Sequence, residues 1–249
     1  MTDYFIGWDV GGWNCDHNSA SRDALTILDA DLAIVGTPWR GNLRESINAA
    51  SDARSWLDSL FALCRSPMPA GPLHCTLGVD TPLGFSDAFA RLITRQGETG
   101  AVGESERNPY LYRHTEQYLF AHGIRPLSAV KDMIGSQATK GMHVLARFAP
   151  HTLGCGVWGD GECLSVLEAY PSPCKQSANM QTLLDRYASR QGETRNWPAP
   201  LDHADKRDAL LCALLASLFS RDRPRLASPP RDIPASEGWI WVPQDALRQ

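Results

Sequence analysis

The chain has no CxxC pair, no long apolar run, no excess of basic charge and no GxxxxGK[ST] loop. Each absence removes a class of protein. The seven cysteines, Cys15, Cys64, Cys75, Cys155, Cys163, Cys174 and Cys212, are odd in number and scattered, which argues against a disulfide framework or a zinc ribbon and for a reducing compartment. No stretch reaches the roughly 18 apolar residues of a membrane span, and the chain opens on a strand without a basic, apolar leader. A cytoplasmic protein with no membrane partner is therefore expected. A formal charge of −4 gives no bulk attraction to nucleic acid or anionic lipid, so any contact with a polyanion has to be local.

What is present is 249 residues with 43% hydrophobic content, enough to bury one large core. The stretch Leu73 to Phe85, LHCTLGVDTPLGF, reads as a buried strand that stops abruptly at Asp80 before Thr81, Pro82 and Gly84. A carboxylate at a buried strand end is costly unless it is hydrogen-bonded, paired or bound to a cation, and in open α/β sheets that strand end is where ligands bind. Taken alone, Asp80 is equally well explained as a cap on the following turn.

The same pattern recurs along the chain. Tyr4 to Val10 reads as a strand with Asp9 near its end, running into Gly11 and Gly12. Ala24 to Asp29 and Leu32 to Thr37 read as two further strands joined at Asp29 to Asp31, and Arg44 to Cys64 as one amphipathic helix. Phe85 to Arg95 predicts a short helix, and the polar, Gly-rich stretch Gln96 to Asn108 a flap beside a site. Tyr110 to Ala121 and Val130 to Phe148 are helical by period, so a helical insertion is expected over about 96–150. There Arg113, Glu116 and Lys140 stand out as candidate substrate-binding residues, although ordinary charge pairs on solvated helices explain each one singly. Leu153 to Trp158 and Leu164 to Tyr170 predict a hairpin across Gly159 to Gly161, with Glu168 near the end of the returning strand. Cys174 to Gln191 predicts a helix and Trp197 to Asp202 a proline-rich connection. In the last long helix, His203 to Ser220, Asp205 and Asp208 share a face with Cys212, Leu215 and Phe219; helix-dipole complementarity explains either acid alone. The proline-rich tail over about 222–249 ends in GWIWVP, a terminal strand or clamp, with Arg221, Arg223 and Arg225 as the densest basic cluster.

Asp9, Asp80, Glu168 and Asp208, with Asp205 beside the last, thus come from three strand ends and one helix. Carboxylates gathered at one sheet edge repel unless cations neutralise them, and phosphoryl transfer commonly uses two hard cations held by oxygen ligands. A site for two magnesium or manganese ions is the expectation from the residues.

The order of elements resembles the ribonuclease H-like fold, a mixed sheet flanked by helices. More narrowly, IGWDVGGWN, LGVDTPLGF, YRHTEQYL, LEAYPSP, DKRDALLCALLAS and EGWIWVP are similar, in order and spacing, to segments of DUF 429, a family of predicted ribonuclease H-like nucleases. The resemblance spans nearly the whole chain and implies a single domain with a metal site made by Asp9, Asp80, Glu168 and Asp208, with Arg113 and Glu116 marking a segment that lines it. Trp8 and Trp13, flanking the first acid, narrow access to such a site, and the acidic charge disfavours long duplexes. The leading expectation is a metal-dependent phosphodiesterase acting on nucleic acid or a small nucleotide, with Lys140 or Arg113 offsetting charge on phosphorus. Two alternatives stand beside it. The Asp9-Val10-Gly11-Gly12 turn also resembles the phosphate-binding turn of sugar kinases and actin-like ATPases, and a non-catalytic ribonuclease H-like binding module retains the same fold, with a partner docking on exposed aromatics of the tail.

Overall fold

The computed structural model describes residues 2–18, 20–191 and 199–248. Its centre is a mixed sheet flanked by helices, with strand order β3-β2-β1-β4-β7-β6-β5 and β8 paired to the end of β7. Strand β1 (Thr2–Asp9) runs parallel to β4 (Leu73–Asp80), and β4 parallel to β7 (Leu164–Ala169). Strand β2 (Asp23–Leu28) is antiparallel to β1, and β3 (Trp39–Gly41) is antiparallel to β2. On the far side β5 (His151–Gly154) and β6 (Val157–Gly159) form the hairpin that returns into β7, and β8 (Ile240–Trp241) lies parallel to β7.

Alternation along β1 and β4 divides the core in two. Ile6, Trp8, Cys75, Leu77 and Val79 face one layer, formed with α1 (Arg44–Ala49), α2 (Ala53–Leu63) and α5 (Gly135–Phe148). Phe5 faces the other, where α8 (Ala204–Asp222) packs with α7 (Ala178–Gln191) and Trp239 and Trp241 of the tail. On this second face Gly7 and Gly78 are register partners. A Cβ at Gly7 would overlap the Ala209 carbonyl, and one at Gly78 would lie 2.5 Å from the Cys212 carbonyl oxygen. The two glycines therefore let the α8 backbone lie directly on the sheet, and one step further along the same face stand Asp9 and Asp80.

Several predicted elements change their bounds for local reasons. The strand expected at Leu32 to Thr37 does not form; the Asp29 carboxylate accepts the amides of Asp31 and Ala33, Leu32 turns left-handed (φ 64°), and a lone bridge joins Ile34 to Leu28. The third strand is β3 instead. The helix expected from Arg44 to Cys64 divides because Asp52 adopts extended backbone and builds a capping box with Ser55 at the start of α2. Between β4 and β5 lie α3 (Asp87–Thr94), α4 (His114–Ala121) and α5. The helix expected from Cys174 begins earlier, as the single turn α6 (Pro171–Cys174), and restarts as α7, where the Ser177 hydroxyl accepts the Met180 amide. The Trp197 end of the proline-rich connection lies outside the described residues. The tail aromatics are not exposed: Trp239 and Trp241 are fully buried, their indole N–H groups donating to the Ala227 and Gly156 carbonyls. Nor is the tail's basic cluster free. Arg221 lies over Phe5, Arg223 over Phe219 and Trp241, and Arg225 pairs with Asp222. No helix among the described residues is long and apolar enough to cross a membrane.

Candidate functional site: the carboxyl edge of the sheet

The parallel register sets Asp9 directly opposite Asp80 at the ends of β1 and β4, on strands about 4.8 Å apart. Both line a cavity of about 240 Å³ at this edge, together with Thr81, Tyr170, Gln137 and apolar side chains from the connection before α5. Neither carboxyl group has a hydrogen-bond or ion-pair partner among the described residues. Desolvation raises both proton affinities. Asp80 is pushed up to about 8, by burial first and then by repulsion from Asp208 and Glu168, against the pull of Lys175. Asp9 is raised well above the ordinary carboxyl range by burial, with Asp80, Asp205, Asp208 and Asp23 adding to it.

The other three expected ligands are at the same edge, each with a cation of its own. Glu168 is the register partner of Val79, not of Asp80, so it leaves the sheet on the other face while still lining the same cavity. There Arg113 holds it at 2.7 and 2.8 Å, while the Leu83 amide donates to it at 2.9 Å. Asp208, one turn before Cys212 on α8, pairs with Lys175 at 2.8 Å, and Asp205 pairs with Arg40 at 2.7 Å. Asp9 and Asp80 are left without a cation of their own, and burial works against their ionisation.

This arrangement overturns the two-ion expectation. Among the described residues no group of three or more His, Cys, Asp or Glu side chains is placed to hold a metal ion. Expecting carboxylates at one edge to repel unless metals are present overlooked the cations that the chain itself supplies. Donors already committed to guanidinium and ammonium groups do not fit a magnesium or manganese centre, which needs free oxygen ligands. The metal-dependent nuclease, its hydrolase chemistry and the magnesium or manganese cofactor fall together with that site.

The three marked polar residues of the helical region are all buried. Arg113 is 3% exposed and forks between Glu116 and Glu168, with a further hydrogen bond to the Glu237 carbonyl. Burial pushes the Glu116 carboxyl up, against the pull of Arg113. Lys140 is wholly buried in a different cluster: it pairs with Asp23 and reaches Asn42 and the carbonyls of Gly11 and Gly12. Asp23 in turn accepts the Trp8 indole and the amides of Gly11 and Leu43. Lys140 thereby clamps the turn that follows Asp9 without lining the cavity. Trp8 does not narrow access to Asp9, because its ring lies in the core edge-on to Trp56, and Trp13 leans on Ser136 and Thr139 of α5. The Gln96 to Asn108 stretch is exposed up to a half-buried Asn108 and contributes nothing to the cavity lining.

Sequence reasoning passed over Asp23, Arg40, Lys175 and Thr81. Asp23 opens a strand instead of ending one, and Arg40 and Lys175 are ordinary basic residues until the fold brings them to Asp205 and Asp208. Thr81 carried a visible signal, a hydroxyl next to a strand-end acid; it is 5% exposed and its oxygen has no hydrogen-bond partner among the described residues. No family model, no curated protein and no solved structure matches the chain, so its function is read from this edge.

Proposed function

We propose that the chain is a single ribonuclease H-like domain, of the kind the DUF 429 resemblance names, used as a non-catalytic binding module whose ligand enters the cavity at the ends of β1 and β4. The observation that carries this reading is the adjacent Asp9 and Asp80 pair, lacking partners among the described residues while the neighbouring acids are neutralised internally. Groups kept available at a strand end, at a cost in stability, are characteristic of binding sites. The fold reading is supported by the sheet order β3-β2-β1-β4-β7, by an antiparallel β2, and by a long final helix crossing β1 and β4. Seven unpaired thiols fit a reducing, cytoplasmic setting.

Electrostatics selects the class of ligand. A phosphoryl group brought into the cavity is tolerated only while Asp9 and Asp80 stay protonated, since an ionised carboxylate within about 4 Å of it meets repulsion of about 4 kcal/mol per charge pair at an effective dielectric of about 20. The cations that would offset it are engaged elsewhere. The Gly11-Gly12 turn does not supply them: the Gly11 amide donates to Asp23, and both glycine carbonyls accept from Lys140. This places phosphotransfer behind the binding reading. Neutral or cationic ligands that donate hydrogen bonds suit the site.

The test is a thermal-shift and calorimetric panel of sugars, nucleosides, nucleotides and amines in chelator, with wild type and Asp80→Asn. Binding of uncharged or cationic members, lost in the variant, is the expected result. Cleavage of DNA or RNA that needs magnesium or manganese and disappears in Asp80→Asn would overturn it, as would tight binding confined to phosphorylated members.

A further inference from the structure

We infer that α3 and the stretch after it form a self-complementary surface on which a second copy of this chain docks, the Ile93 side chain of each copy entering a groove beside α3 of the other. None of the eight residues of α3 is buried, and a helix this short is marginal in water unless an apolar face packs against something. Its ends are fixed by the chain itself. The Ser86 hydroxyl oxygen accepts the Phe89 amide, the Glu237 carboxylate accepts the Asp87 amide, and Arg95 closes the last turn in left-handed backbone at φ 57°. Its apolar side is left uncovered. Phe89, Leu92 and Ile93 are spaced three and four residues apart and share one face, with the Phe85 ring 5.2 Å from that of Phe89. Leu92 is 44% and Ile93 62% exposed, and Val102 in the following stretch is exposed as well. Single exposed apolar residues are ordinary, whereas a capped amphipathic helix with its apolar stripe outward marks a contact surface.

The shape of the patch names the occupant. Ala88, Leu92, Thr99 and Tyr110 border a groove of about 130 Å³ beside the helix. At about 30 Å³ per water-sized group it takes about four such groups, which matches the side-chain carbons of an isoleucine. Ile93, the projecting side chain, and this groove stand next to each other on one patch. A twofold contact requires that arrangement, because each copy then gives and receives the same side chain.

Charge points the same way. Arg95 lies just beyond Ile93, and Glu98 forms part of the groove wall. Both are exposed, and neither has an ion-pair partner among the described residues. With Ile93 of one copy in the groove of the other, Arg95 arrives beside Glu98, and the pairing occurs twice in the dimer. The groove shares no residue with the cavity at the ends of β1 and β4, so the two surfaces are separate. A helix of this length spans about 12 Å and buries less than the roughly 800 Å² per partner of a standard interface. The dimer is accordingly a weak one.

The experiment is sedimentation equilibrium of the full chain in reducing buffer, from about 5 µM to about 500 µM, the range of a transient contact. Wild type is expected to pass from monomer to dimer across that range. Ile93→Asp, at an exposed position that leaves the melting temperature unchanged, is expected to stay monomeric throughout. Arg95→Glu is expected to weaken the dimer about tenfold, since two like-charge contacts replace two favourable ones, and adding Glu98→Arg to the same chain is expected to restore it. Leu153→Asp, on the exposed edge strand β5, serves as the control and is expected to dimerise as wild type does. A wild-type chain that stays monomeric overturns the inference and assigns the face to a different partner. A dimer that survives Ile93→Asp, or one that Leu153→Asp breaks, places the contact elsewhere and overturns it too. Failure of the charge exchange to restore the Arg95→Glu variant overturns the proposed pairing of Arg95 with Glu98.

Discussion

Replacing Asp80 by asparagine should make the protein more stable, and increasingly so as pH rises. Burial, reinforced by Asp208 and Glu168, lifts this carboxyl from an ordinary 3.8 to about 8. Between those two values the folded chain holds a proton that the unfolded chain has released. Unfolding therefore loses a proton, and stability falls with rising pH across that window before levelling off above about pH 8. At about 1.4 kcal/mol per pH unit the full gap is on the order of 5 kcal/mol, an upper bound because the carboxyl group opens onto a solvent-accessible cavity. Asparagine keeps the shape and never ionises. Urea denaturation midpoints across the range should show Asp80→Asn within about 1 kcal/mol of wild type near pH 5 and about 3 kcal/mol or more above it near pH 9. Parallel pH profiles for the two proteins, or an asparagine variant weaker throughout, would refute the claim that Asp80 is an uncompensated acid. A wild-type profile flattened by added divalent cation would point instead to a metal ligand.

Other outcomes test the clamps around the site. Lys140→Met strands a buried carboxylate at Asp23 and should cost about 3–5 kcal/mol in urea denaturation; adding Asp23→Asn should recover much of that loss in a double-mutant cycle. Arg113→Lys retains the charge but not the fork that joins Glu116 to Glu168, so a loss of about 2 kcal/mol or more is expected by the same assay. Gly78→Ala drives a methyl into the Cys212 carbonyl and should destabilise by about 1–3 kcal/mol, while Gly100→Ala, where nothing lies within 4 Å, should leave the melting temperature unchanged. Thiol labelling of the native protein should modify Cys155 first, since the other six cysteines are buried.

Local signals made much of the sheet legible. The acids at Asp9 and Asp80 end their strands as read, because a branched or aromatic run followed at once by glycine or proline leaves few other conformations. The hairpin into β7 and the long final helix were equally plain. The segment after β2 was not, since the Asp29 side chain captures two nearby amides and curls a stretch that strand propensity alone would extend. The break between α1 and α2 was also hidden, because the apolar period continues across a cap that only Asp52 and Ser55 announce. Tryptophans read as a docking surface proved to be core, a distinction that alternation over so short a strand does not make.

What the sequence determined by itself is the set of acids and their places at element ends, for those depend on neighbours in the chain. Which of them keep their charge was decided by the tertiary structure alone. The pairing of Glu168 with Arg113 spans 55 residues and that of Asp205 with Arg40 spans 165, and no local pattern links residues so far apart. The register of β7 against β4 then sets Glu168 opposite Val79 and not Asp80, a matter of a single step in a two-residue period. Five carboxylates that in sequence call for metal ions become three internal ion pairs and one buried pair without a cation, because a folded chain places its own cations wherever contact, and not order, allows.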